Sequence, residues 1–287
     1  MTLIAFVGSV FSPYYRRAWR AGRAVAEDHC AINVALYSPG AGRWTMTERG
    51  RARVRRSADR FEVGPSALQW GADGLRIDID EVATPLPRRV RGTIRLRPQG
   101  LSRFVAPLDA AGRHRWGPIA PCARIEVQLD APALRWSGHA YLDSNEGDEP
   151  VSEAFDSWDW MRAPLADGST AVVYDVRERG GAERLIGARF APDGSSQALA
   201  VPPRLPLPDS AWRVRRQVCS EAPGTRGGDA PRVLRTLEDT PFYNRNVVSA
   251  QLGAERVTAM HESFDARRFA APWVQALLPF RMPRRAR

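Results

Sequence analysis

Two short segments in the middle of this 287-residue sequence gather a proton donor, hydrogen-bond partners and π-faces. One is His114-Arg115-Trp116-Gly117-Pro118, and the other is Gly138-His139-Ala140-Tyr141-Leu142-Asp143-Ser144-Asn145-Glu146-Gly147. Two of the chain's 4 histidines lie here. Side chains two apart on a strand face the same way. His114 and Trp116 therefore share a face, as do His139, Tyr141 and Asp143. Strand parity also carries a warning. Leu134, Trp136, Ala140 and Leu142 form the apolar row, which the usual inside–outside pattern assigns to the core. The row holding Arg135, Ser137, Tyr141 and Asp143 then either faces solvent or lines a cavity with a polar floor. Trp116 and Trp136 read equally well as core or rim residues.

Other constellations are thinner. Asp156 and Asp159 flank Trp158 and have the residue types of a glycosidase carboxylate pair. His261-Glu262 lacks the second histidine of a zinc signature. Gly8-Ser9-Val10 lacks the closing glycine of a nucleophile elbow. The sequence has no phosphate loop and no dinucleotide fingerprint.

The elements that must position these residues are strands. Leu75, Ile77 and Ile79 alternate with Arg76, Asp78 and Asp80. Val90, Ile94 and Leu96 alternate with Arg91, Thr93, Arg95 and Arg97. Ile125, Val127 and Leu129 alternate with Arg124, Glu126 and Gln128. Period two marks half-buried antiparallel strands. Turn signals separate them at Ala72-Asp73-Gly74, Arg179-Gly180-Gly181 and Pro192-Asp193-Gly194-Ser195. Many short strands with frequent turns predict an all-β sandwich or barrel. Two helices are expected. One follows Ser12 as cap and Pro13 as first residue, ending at Gly22; the other lies within 266–278, interrupted at Pro272. The acidic, turn-rich stretch 147–157 is the expected seam between two domains, 1–152 and 153–287. The proline-rich run Val201 to Pro208 is expected to be extended.

Composition narrows the class. Hydrophobic residues make up 44% of the chain, enough for a packed core. Net charge is +10, and all 42 basic residues are Arg. A coding bias explains this as readily as attraction to an anionic partner. Nucleic acid is the weaker partner, because no nucleic-acid-binding motif accompanies the scattered arginines. Cys30, Cys122 and Cys219 have neither metal spacing nor even pairing, which fits a reducing compartment. No apolar run reaches spanning length, and the apolar N-terminus lacks a basic leader region. The protein is therefore expected inside the cell, soluble or peripheral. The basic tail from Arg281 to Arg287 is expected to be a frayed end, with lipid contact as the alternative.

Several ordered blocks carry a family resemblance. They are Ala5 to Tyr15, His29 to Tyr37, Trp44 to Gly50, His114 to Pro121, Gly138 to Asp148 and Trp158-Asp159-Trp160. On these the chain resembles the bacterial carotenoid 1,2-hydratases, also called hydroxyneurosporene synthases. The resemblance implies two lipocalin-like antiparallel β-barrels, no cofactor and no metal. It implies addition of water to the terminal C1=C2 bond of acyclic carotenoids such as neurosporene and lycopene. A substrate held in lipid implies a cytoplasmic protein peripherally associated with the inner or photosynthetic membrane, with the arginines and the apolar N-terminal segment as the expected contact with anionic lipid. It places activity on His114, Trp116, Tyr141 and Asp143. Asp143 would be the acid, kept neutral by apolar surroundings. Trp116 and Tyr141 would offer π-faces to a tertiary cation. His114 would hold the acid's proton or orient the attacking water. His139 has no assigned part. The rival readings are a lipocalin-like carrier of an apolar ligand and, last, a hydrolase using Asp156 and Asp159.

Overall fold

The computed structural model describes residues 1–224 and 229–285. The all-β class holds: antiparallel ladders dominate, with few short helices. The chain forms two compact units that are not consecutive halves. One comprises Met1–Arg97, Arg124–Ala140 and Pro272–Arg287; the other comprises Pro98–Ala123 and Tyr141–Ala271. The chain passes between them inside two long strands, His114–Ala131 and Ala133–Gly147. The seam expected at 152/153 falls within the second unit.

In the first unit, strands Val54–Arg56, Arg60–Val63, Ser66–Gly71, Gly74–Val82 and Arg89–Pro98 form an antiparallel meander. A second sheet joins Thr2–Phe6, Ala31–Leu36 and Arg43–Thr45. Ile32, Val34 and Leu36 pack with Ile77, Ile79, Val90, Ile94, Val127 and Leu129 in one core. The outward row of Arg76, Asp78 and Asp80 carries ion pairs instead. The apolar N-terminal segment is thus a sheet strand, half-buried and paired with Ala31–Leu36. The helix Pro13–Arg20 forms as expected, its first turn capped by the Ser12 hydroxyl, which accepts from Tyr15 N–H at 2.9 Å. The tail is not frayed over its described part. Arg284–Arg285 pairs in parallel with Glu48–Arg49, and the Arg284 guanidinium bonds the buried Glu48 carboxylate. Residues 286 and 287 lie outside the described residues.

The second unit is built on a sheet of strand order Ser196–Ala198, Glu183–Phe190, Thr170–Glu178, Phe155–Pro164, Glu255–Asp265, Tyr243–Leu252, Arg232–Asp239. Its two faces differ. One buries Met161, Ala163, Val173, Val218, Val248 and Ala259. The other buries an aromatic cluster holding Trp116, Phe155, Tyr174 and Phe190, with Tyr141, Trp158 and Trp160 packed against it. Among the described residues this sheet is open rather than closed into the barrel expected. One edge strand, Ser196–Ala198, is short and exposed. The other, Arg232–Asp239, breaks register twice, at 233/235 and 236/238. Bulged or short edges end a ladder instead of continuing it. The predicted C-terminal helical stretch divides where Pro272 demands, into Ala266–Ala270 and Pro272–Arg281.

Candidate active site

Trp116, Tyr141 and Asp143 converge in the second unit. The Trp116 indole N–H donates to Asp143 Oδ2 at 3.0 Å, and the Tyr141 hydroxyl donates to the same oxygen at 3.1 Å. The pleat explains the meeting. Tyr141 and Asp143 stand on one face of Ala133–Gly147, and Trp116 points inward from His114–Ala131, which pairs with it. The same row is exposed at Arg135, Ser137 and His139 and turns inward at Tyr141. That change coincides with the passage from one unit to the other between Ala140 and Tyr141. The parity warning is resolved there: the row faces solvent up to His139 and aromatic rings after it.

The walls are rings. Trp116 is fully buried against Phe104, Tyr174 and Phe190, all in edge-to-face contact at 5.7, 5.7 and 6.3 Å. Its contribution to the site is therefore its N–H rather than an open π-face. Tyr141 lies 5.7 Å from Trp160, and the Arg162 guanidinium sits 5.6 Å from the Tyr141 ring centre. Tyr174 reaches Asn145 Oδ1 through its hydroxyl at 3.4 Å. In this setting desolvation pushes the Asp143 carboxyl up to about 6. The Trp116 and Tyr141 hydrogen bonds pull the other way, and the Glu262 carboxylate adds to the rise. Desolvation also raises the Tyr141 phenol well above its ordinary value, with the Asp143 charge reinforcing it. Tyr141 thus stays a donor.

His114 is not joined to that trio. Its Nδ1 meets Asp109 Oδ2 at 2.7 Å, and its Nε2 meets the Glu149 carbonyl at 3.0 Å. Both neighbours are acceptors, so both nitrogens donate when the ring is doubly protonated, with Asp109 as counter-charge. Asp109 also accepts the backbone N–H groups of Arg113 and His114. Burial opposes charge on Asp109, but these bonds outweigh it and hold the carboxyl below its ordinary value. Phe155 packs edge-on to the imidazole at 4.7 Å. Gly147 closes the other side: a Cβ there would stand 2.7 Å from the His114 ring. The ring has partners at each nitrogen, which leaves it neither holding the Asp143 proton nor directed at a water.

Asp156 and Asp159 do not form a working pair. Arg267 binds Asp156 at 2.6 Å, whereas Asp159 is buried and accepts from Ser263 at 2.6 Å. Sequence reasoning missed Tyr174, Trp160, Arg162 and Glu262 as site walls. Their placement follows from cross-strand register, Trp160 opposite Tyr174 and Glu262. It missed Asp109 too, although Asp109 to Gly112 has turn-forming residue types. Among the described residues no cluster of metal-ligating side chains was found.

Comparison with known proteins identifies relatives of this chain. The family model for carotenoid hydratase CrtC matches residues 3–287. The acyclic carotenoid 1,2-hydratase of Rubrivivax gelatinosus is 55% identical, over 100% of this chain and 70% of that protein. Its counterpart in Thiocapsa roseopersicina is 49% identical, over 99% of this chain and 69% of that protein. The one in Cereibacter sphaeroides is 41% identical, over 99% and 98%. A crystal structure designated an AttH candidate from Nitrosomonas europaea shares the fold at a TM-score of 0.57 and 14% identity, covering 83% of this chain and 80% of that one. The chain belongs to the CrtC family of carotenoid hydratases.

Proposed function

We propose that this enzyme adds water across the terminal C1=C2 bond of acyclic carotenoids, with Asp143 as the acid. The observation that carries this reading is the Asp143 carboxyl, raised to about 6 among aromatic rings, with both side-chain donors on Oδ2. Oδ1 then bears the proton of the neutral acid. The alkene π pair takes that proton at C2, and a tertiary cation forms at C1. The carboxylate left behind faces the cation, and the two donors to Oδ2 strengthen as its charge appears. Water attacks C1 and returns a proton to Asp143, so the acid is restored and no electrons are exchanged. Tyr141 lends a ring face as well as its hydroxyl. Trp116 acts through its N–H. His114 is a positioning residue: locked by Asp109 and Glu149, it fixes the strand from which Trp116 reaches Asp143.

Lycopene or neurosporene in detergent, incubated with the purified chain under anaerobic conditions without added cofactor, tests the reading. The expected product is heavier by one water, and in D2O it carries one deuterium at C2. Carotenoid that is bound but unchanged would support the carrier reading in its place.

A further inference from the structure

The first unit carries a surface that fits an interface between water and lipid. The helix Pro272–Arg281 buries Val274 and Leu278 and turns Trp273, Leu277 and Phe280 outward, at 48%, 50% and 76% exposure. These three recur at the spacing of one helix face. The helix Pro13–Arg20 packs against it and exposes Trp19. Neither helix contains an acidic residue. Arg17, Arg20 and Arg23 are exposed, and among the described residues none has an acidic partner. Arg285 follows the helix on the strand that pairs with Glu48–Arg49. It lines a cleft of about 490 Å³ with Arg53, Arg89 and Arg49. Asp80 and Glu81 answer Arg89 and Arg49, whereas Arg53 and Arg285 are exposed without an acidic partner among the described residues.

We infer that this face docks on an anionic lipid bilayer: Trp273, Leu277 and Phe280 enter the acyl boundary while the surrounding arginines meet phosphate groups. An aromatic and aliphatic stripe rimmed by arginines matches the depth profile of an interfacial helix. The face is predominantly basic, with Glu27 on the adjoining Ala26–His29 turn as an exposed acid; such a surface around an apolar centre fits an anionic membrane better than a second copy of this cationic chain, whose like charges would meet. The inference rests on the proposed function only for its purpose, which is to bring the protein to a substrate dissolved in lipid.

Flotation with vesicles of phosphatidylcholine, with and without phosphatidylglycerol, is the test. The chain is expected to float with the anionic vesicles and to lose that preference in high salt. The variant Arg17→Gln/Arg20→Gln/Arg23→Gln should bind anionic vesicles roughly 100-fold more weakly, and Trp273→Ser/Leu277→Gln/Phe280→Ser should not float with either. Because Cys30, Cys122 and Cys219 are buried, an environment-sensitive label on Phe280→Cys reports the surface selectively. Its emission should shift to the blue with anionic vesicles, whereas a label on Leu234→Cys in the second unit should not respond. Absence of wild-type flotation, or an unresponsive label at position 280, overturns the inference. So does a dimer in sedimentation that the apolar variant disperses. Turnover of detergent-dispersed lycopene should be unchanged in both surface variants. A chain that floats without turnover fails the hydratase reading alone, and one that turns over without floating fails the docking inference alone.

Discussion

The two faces of the sheet in the second unit each bury an aspartate whose carboxyl is pushed up by desolvation, Asp143 to about 6 and Asp159 to about 7. Their surroundings differ. Asp159 lies in a polar web. Ser263 donates to it at 2.6 Å, the Gln217 backbone N–H approaches at 3.4 Å and Arg177 lies at 3.6 Å. Nearby Asp175 is bound by Arg204 and by the Gln217 side chain. His261, 3.7 Å away, is lowered to about 4 by burial and stays neutral. Asp143 has instead an indole N–H, a phenol and ring walls. On the proposed reading, a raised carboxyl by itself does not mark an acid catalyst. The group must also stand where an apolar substrate can replace water without stripping other polar partners.

Substitutions at the two aspartates and their partners test this difference. Asp143→Asn keeps an acceptor for Trp116 and Tyr141 but has no acidic proton, so kcat should fall at least about 1,000-fold. The same variant should be more stable than the wild type at pH 7. The folded carboxyl titrates near 6 and the unfolded one near 3.8. Stability is therefore complete below about pH 4 and is lost as pH rises towards 6, by at most about 3 kcal/mol. Melting scans at pH 4 and pH 7 check this: a gain that does not grow between them would refute the assignment of the raised value to Asp143.

Trp116→Phe removes one donor from the developing carboxylate and should lower kcat by about 10–100-fold. Loss of a bond that stabilises the charged form also moves the carboxyl further up. The alkaline limb of the wild-type pH–rate profile, expected near pH 6, should therefore shift to higher pH in this variant. Tyr141→Phe should do the same with a loss of about tenfold. A limb that stays in place in both variants would separate the titrating group from Oδ2 of Asp143.

The smallest effect belongs to the opposite face. Asp159→Asn should leave kcat within about twofold, because it shares no hydrogen-bond partner with the aromatic face. Its signature is in stability. The wild type loses stability between about pH 4 and 7 as burial withholds ionisation from Asp159, and this variant should lose less over that range. A large kcat loss with intact folding would reverse the assignment of the two faces.

Much of this was legible in the residues. Alternation gave the strands of the first unit, Ser12 and Pro13 gave the first helix, and Pro272 gave the break before the last one. The pairs His114/Trp116 and Tyr141/Asp143 stood out by spacing. What alternation cannot supply is the partner across a strand. The register setting Trp160 opposite Tyr174 depends on turn geometry. Glu81 continues the inward row of Ile77 and Ile79 and survives burial because Arg49 and Ser66, far away in sequence, satisfy it. The inward turn at Tyr141 was hidden for the same reason: a strand's polar row takes its surroundings from whatever packs on it, which changes along Ala133–Gly147.

The pairing of Arg284–Arg285 with Glu48–Arg49 sets an order of events during synthesis. The segments of the second unit, Pro98–Ala123 and Tyr141–Ala271, have all been made before Pro272 is added. The first unit must hold an unfinished edge at Glu48 until a strand from the other end of the chain arrives. Glu48 and His29, 2.8 Å apart in the folded chain, receive their third partner, Arg284, only with that strand. Closing so long a loop is slow relative to local pairing. The pairing that completes the edge at Glu48 is therefore slow to form beside the local ladders of the same unit.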